Sequence, residues 1–306
     1  MRRTSRGLIT GAVLLAAVAA AGALWARPVR EVLKREVPLT TEERLDVRLY
    51  FGAGTLTLEE GRGDWLAKAT LEYLEHGEAP EFSYRTHGRV GELKITAAET
   101  EGSDEHGFNI DIDDEEWDFG NNWGDLDRNE WRLSLTDRIP IALEIESGAS
   151  KNDLDLTGLK ISDLDLEVGA CELRVTVDKP SEYRTRVISV DAGAARLRME
   201  GLGNLNFERM EFNGGAGQFT LDFDGKLDHR ATVEINLGVG QLNLFVPEDV
   251  GVKIDCSSCS ISSVSVGGAF EEEDDVYVND LYGRAEGEIL FEVSASLATV
   301  NVETIR

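Results

Sequence analysis

Residues 164–175 read LDLEVGACELRV, and the fold follows from where the apolar residues fall on either side of Gly169. Before the glycine, Leu164, Leu166 and Val168 alternate with Asp165 and Glu167; after it, Leu173 and Val175 alternate with Glu172 and Arg174. Alternation of period two marks a strand with one buried face. The step from Val168 to Leu173 is five residues, an odd number, so an unbroken strand would turn the second set out to solvent. A bulge or corner at the glycine keeps both sets inside. Glycine suits such a place because it tolerates positive φ and close backbone approach.

The same device recurs in VISVDAGAARLRM (187–199), VEINLGVGQLNLF (233–245) and FEVSASLATVNV (291–302). Looser copies are LEIESGASKNDLDL (143–156), EFNGGAGQFTLDF (211–223) and, earlier, LDVRLYF-GAG-TLTLEE (45–60). Gly148, Gly169, Gly193, Gly215 and Gly238 follow one another at steps of 21, 24, 22 and 23 residues, a spacing that suits the coils of a β-solenoid. The expected fold is all-β, with stacked coils sharing one core and each glycine at a bend between consecutive strands. An antiparallel sandwich with glycine-rich turns is the competing arrangement. Residues 64–75, DWLAKATLEYLE, fit a short helix or a further strand equally well.

Upstream, Arg2, Arg3 and Arg6 precede an uncharged run, residues 8–26. As a helix it would be roughly 28 Å long, about the thickness of a bilayer core. A cleaved signal competes with a retained anchor, since Ala21-Gly22-Ala23 offers the small-residue pattern of a cleavage site. The run continues through Leu24 and Trp25, which favours the anchor; a buried soluble helix is the third possibility. The expected location is the cell membrane, in a single pass with the body outside the cytoplasm; after cleavage it would be secreted or periplasmic. Residues 27–40, with Pro28 and Pro38, read as a spacer. The expected organisation is a membrane segment over 1–35, a β region over 36–140 interrupted by an insertion at 97–130, and a solenoid over 141–306.

Composition narrows the chemistry. The 306 residues carry a net charge of −27; residues 1–35 contribute +6 and the remainder −33. So acidic a body repels phosphate backbones and excludes nucleic acid as a partner. Nucleophile, phosphate-loop and zinc-helix motifs are absent, and His76, His87, His106 and His229 show no ligand spacing. Asp153, Asp155, Asp163 and Asp165 project outward between inward leucines. As sugar-cleaving acids they would need a partner with a raised pKa, which exposed strand positions do not supply.

Residues 101–130 hold twelve acids and one base. Asp111, Asp113 and Asp114, or Asp125 and Asp127 with Asn129, offer oxygens to Ca²⁺, although the EF-hand template fails at Glu130 and Thr136. A solvated acidic loop is the plainer reading; calcium is the only cofactor the sequence suggests. Trp117 and Trp123 in the same stretch could stack on sugar rings, whereas Trp131, alternating with Leu133 and Leu135, reads as core. Cys256 and Cys259 flank Ser257-Ser258 where the apolar phase flips again, so both sulfurs can face inward, as a disulfide, as two buried thiols or as a redox pair. Cys171 reads as a small core residue.

LDVRLYFGAGTLTLEEG (45–61), WRLSLTDRIPIALEIESGASKNDLDLTGLKISDLDLEVGA (131–170) and LGVGQLNLFVPEDVGVKI (237–254) resemble the bacterial toast-rack domain, the carboxy-terminal part of membrane-bound cell-wall-active antibiotic-response proteins, related to adhesin-like domains. The resemblance spans about residues 44–306. It implies a right-handed, single-stranded β-helix-like body on a membrane stem and carries no catalytic residues over. This chain differs from the response proteins in having one apolar run instead of several. The function expected is therefore non-enzymatic: a tethered binding, scaffolding or envelope stress-response module, with an envelope protein or polysaccharide as partner. A polysaccharide-active enzyme and a calcium-stabilised adhesin-like domain are the alternatives.

Overall fold

The computed structural model describes residues 30–74, 78–97, 111–113, 116–118, 129–259 and 262–306. Its strands are β1 (Arg30–Pro38), β2 (Arg44–Gly61), β3 (Trp65–Leu74), β4 (Glu81–His87), β5 (Val90–Thr96), β6 (Asp111–Asp113), β7 (Glu116–Asp118), β8 (Glu130–Thr136) and β9 (Ile141–Asp155). They continue with β10 (Ile161–Thr176), β11 (Val187–Glu200), β12 (Arg209–Asp222), β13 (Arg230–Pro247), β14 (Gly251–Ser258), β15 (Ser263–Val266), β16 (Phe270–Glu273), β17 (Val276–Asn279) and β18 (Glu288–Ile305). All but β6 and β7 belong to one sheet of sixteen strands.

Seven long strands, in the order β2-β9-β10-β11-β12-β13-β18, run parallel and form the stack. The sequence placed each glycine between two strands; instead, Gly169, Gly193 and Gly238 lie inside single continuous strands. The corner is real but local. Pairing runs Val168↔Ala192 and resumes at Ala170↔Ala194, skipping the glycines, and the buried set changes phase across them, from Val168 to Cys171. Hydrogen bonding on either side is good enough to carry one strand through the bend.

Positive φ is not what selects these glycines; it occurs two residues on, at Gly217 (φ 155°) and Gly240 (φ 135°). Close approach selects them. Gly52, Gly148, Gly169, Gly193, Gly215 and Gly238 stack in a column, and a Cβ on each of the last five would lie 2.4–3.0 Å from the carbonyl oxygen of the glycine before it. At the same level β18 carries Ser296, between the paired residues Ala295 and Leu297.

The interior is one continuous apolar cluster. Both arms of every bent strand contribute, as do the returning segments through Leu159, Val177 and Phe207 and a buried 3₁₀ turn at Leu202–Leu205. Phe212 and Phe219 meet edge to face across one corner, 5.2 Å between centroids. Trp131 is fully buried 5.3 Å from Phe51.

Each end of the stack is a coil split in two. At the first end β5 pairs with Arg44–Tyr50 of β2 and β8 pairs with Thr55–Gly61, so the insertion between β5 and β8 leaves at corner level. At the other end β14 and β15 pair with the two halves of β18, and the corner between them holds Cys256 and Cys259. Residues 65–74, ambiguous in sequence, are strand β3. The spacer assigned to 27–40, and with it the end of the segment assigned to 1–35, needs correction: Arg30–Pro38 is an edge strand paired with β3. The division near residue 140 falls between β8 and β9, inside the continuous sheet. The apolar run 8–26 lies outside the described residues, among which no helix is long and apolar enough to cross a membrane.

Candidate interaction surface

The register sorts the outward side chains into rows. Asp163 and Asp165 precede their corner and lie on the outer face of the first arm; Asp153 and Asp155 follow theirs and lie on the second. The four aspartates singled out together in sequence therefore do not share a face. Asp163 is bound by Arg186 at 2.5 Å and approached by Arg44 at 3.8 Å. Asp155 accepts a bond from the Thr157 backbone N–H at 2.9 Å, and Asp153 is exposed.

Much of the outer surface is laced with ion pairs. On the second arm Arg174 and Arg198 each reach Glu200 at 2.7 Å and Lys151 reaches Glu172 at 3.1 Å; on the first, Arg209 bridges Glu211 and Glu234. One patch breaks this pattern. In register, Asp165 stands opposite Glu144, and Glu167 stands between Glu146 and Asp191. Glu144 is held by Arg48 at 3.2 Å and by the Tyr50 hydroxyl, whose own pKa burial and this bond push up to about 12. No cation among the described residues pairs with Glu146, Asp165, Glu167 or Asp191; Asp191 accepts only the Asn213 amide, at 2.8 Å.

The electrostatics register the crowding. Burial and then the charges of Glu144 and Asp191 raise the Asp165 carboxyl above its usual range, against a bond from Ser189. Burial and then Glu146, Asp165, Asp191 and Glu144 raise Glu167. Like charges directly opposite on neighbouring strands are destabilising, so this row costs the fold stability. Glu144, Glu146, Glu167 and Asp191 escaped the sequence reading because they are 21 to 24 residues apart along the chain. Aligning the corner glycines and reading two and four residues upstream would have found them.

The other expected sites sit as follows. Asp111, Asp113 and Trp117 fall on the backbone hairpin β6–β7, but their side chains, like Asp114, Trp123, Asp125 and Asp127 altogether, lie outside the described residues. Asn129 closes the insertion: its amide donates to the Ala53 carbonyl and its own carbonyl accepts the Thr55 N–H, both at 2.9 Å. Among the described residues no three acidic, His or Cys side chains are grouped to hold a metal. Cys256 and Cys259 are joined as a disulfide across the terminal corner, Cα atoms 5.3 Å apart. Cys171 is a buried free thiol that burial pushes up to about 12, far from thiolate chemistry at neutral pH. His229 caps the Phe207 carbonyl at 2.9 Å.

A family model described as the N-terminal domain of toast_rack matches residues 27–200 and 185–245. No curated protein matches the sequence. Among solved structures, a candidate cell adhesion protein from Clostridium sporogenes is 20% identical over 91% of this chain and 100% of its own, with a TM-score of 0.46. A candidate adhesin from Bacteroides fragilis is 11% identical over 90% and 99%, with a TM-score of 0.31. A candidate lipid-binding protein from Parabacteroides distasonis is 13% identical over 90% and 97%, with a TM-score of 0.27.

Proposed function

Because the chain belongs to the family of the N-terminal domain of toast_rack, its matched segments covering most of the sequence, we propose that it is a non-catalytic, membrane-tethered extracytoplasmic binding module of the cell envelope. The observation that carries this reading is the uncompensated row of Glu146, Asp165, Glu167 and Asp191 on a surface otherwise rich in ion pairs. A fold gains nothing from such a row, whereas a cationic partner such as a basic protein segment would relieve it. The acidic insertion at the first split coil adds to the same attraction. The apolar run 8–26 supplies the tether, the envelope stress-response role is the one suggested by the family resemblance, and the coil is taken to wind right-handed on the same ground.

The test joins location to binding. Arg306 is exposed, so a reporter fused after it leaves the body intact. An export-requiring reporter should be active and a cytoplasm-only reporter silent; the opposite pattern rejects the topology. In membrane pull-downs, Asp165→Asn/Glu167→Gln should lose partners that high salt also releases, since exposed charges are screened over about 8 Å at physiological strength. The same variant should unfold at a higher midpoint. Both carboxyls have raised folded pKa values, so their contribution to stability is present at low pH and lost as pH rises through those values; amides escape that loss. An unchanged partner set rejects the surface.

A further inference from the structure

The sheet ends at β1. One side of this strand pairs with β3 from Arg30↔Leu74 to Val37↔Ala67 without irregularity; the other has no partner among the described residues. Exposed regular edges invite further strands, and proteins usually blunt them by keeping them short, bulged or like-charged. Two other free edges follow that rule better: β15 and β16 have four residues each, and β16 carries Glu271, Glu272 and Glu273 in a row. In β1 the only irregularity is at Val37/Pro38, the strand has nine residues, and Val32 is 50% exposed on it.

The charges of β1 are arranged for one partner. Read from Leu33 outward, REVLKRE places Val32 against Lys34, Glu31 against Arg35 and Arg30 against Glu36, and in the sequence Pro28 and Pro38 stand equidistant from the same residue. A strand laid antiparallel on an identical one about Leu33 therefore meets opposite charge at both charged pairs. Opposed residues in that register share parity, so each sheet face continues into its counterpart. Arg30 and Glu36 already contact Glu130 and Lys68 within the chain, at 3.0 and 3.2 Å. Register therefore depends chiefly on Glu31, which among the described residues accepts only the Tyr73 hydroxyl, and Arg35, which donates to the adjacent Lys34 carbonyl. Centring one residue later would set Glu36 against Val32 and Lys34 against Lys34, so the register is specific.

We propose that the open edge of β1 is a homodimer interface, in which two copies pair antiparallel about a two-fold axis at Leu33 and join their sheets into one. The interface is isologous, as closed dimers require. It is also small, so the dimer is weak in dilute solution and is favoured where chains are concentrated. Other free strands fit less well: about its midpoint, Tyr84, β4 would set Ser83 against Arg85 and Phe82 against Thr86.

Cross-linking of the full chain in detergent tests both contact and register. Opposed residues of an antiparallel pair have Cα atoms about 4.5–5.5 Å apart, within disulfide reach. Val32→Cys chains mixed with differently tagged Lys34→Cys chains should form a mixed covalent dimer on mild oxidation. Asp153→Cys, on an outer face, should not cross-link with itself. Both cysteine sites on β1 are exposed, and the native cysteines are paired or buried. Adding Arg35→Glu to both chains should lower the mixed product roughly tenfold or more by setting like charges opposite, and Glu31→Arg/Arg35→Glu should restore it. An unchanged unfolding midpoint in each variant shows that the fold is intact. A mixed product no greater than the Asp153→Cys control, or one indifferent to Arg35→Glu, overturns the proposal. So does slow amide exchange along the outer edge of β1 in chains that sediment as monomers, which would mean another segment covers it.

Discussion

A Cβ on Gly238 would lie 2.4 Å from the Gly215 carbonyl oxygen, an atom fixed by ladders on both sides, so relief requires neighbouring coils to separate. Overpacking of this kind costs about 1–3 kcal/mol. Gly238→Val should lower the unfolding midpoint accordingly. At the start of the column nothing lies within 4 Å of a Cβ on Gly52, so Gly52→Ala should stay within about 0.5 kcal/mol of the parent. Equal effects would refute the close-approach account. Glu42 is a different kind of constraint, a buried carboxylate between β1 and β2 that accepts bonds from the Thr40 N–H and the Tyr84 hydroxyl, both at 2.8 Å. Burial alone would raise its pKa, but backbone N–H groups and the Tyr84 and Thr40 hydroxyls outweigh it and bring it from 4.5 down to about 2. A lowered folded pKa contributes stability above the unfolded value that is lost as pH falls toward the folded one. Glu42→Gln should therefore destabilise the protein by about 1–2 kcal/mol at neutral pH and flatten its stability profile between pH 4.5 and about 2, read from urea midpoints.

Between elements, the split coil at the first end predicts that the insertion is dispensable for folding. Thr96 and Glu130 flank the corner that Phe51–Gly54 makes in the adjacent strand. Replacing residues 98–128 with a four-residue glycine corner and keeping Asn129 should preserve the circular dichroism spectrum and cooperative unfolding; a molten product would make the insertion structural. Alternation and the odd five-residue gaps make the long strands legible in the sequence, because both are local consequences of a one-sided core. β1 was not legible. Its closing proline and dense charge resemble a linker, and only antiparallel pairing with β3, from Arg30↔Leu74 to Pro38↔Trp65, gives it a place. The acidic row was hidden for the same reason: Glu146, Glu167 and Asp191 become neighbours only when coils are stacked in register. The Ser257-Ser258 corner was readable as a phase flip, but the three states open to its cysteines all satisfy that pattern.

On the scale of the whole molecule, sequence order and sheet order part company at both ends of the stack. β2 reaches its neighbour β9 only after the excursion through β8, and β18, made after β14–β17, lies between β13 and the β14–β15 coil. Pairing with β18 runs the length of β13, from Arg230↔Glu288 to Pro247↔Ile305, and supplies the whole of β15's ladder. A chain ending at Gly287 should therefore leave residues 248–286 open to limited proteolysis while the β9–β13 stack resists it, since coils of a solenoid draw stability mainly from their neighbours. Uniform resistance along such a fragment would refute that dependence. A growing chain presents the same situation for a time. Until β18 emerges from the ribosome or an export channel, β13 offers a long bare parallel edge, and the cysteines behind it have no finished coil to close. Only docking of β18 removes both signals, so a polypeptide stalled or clipped before that strand remains distinguishable to chaperones and proteases from one that carries it.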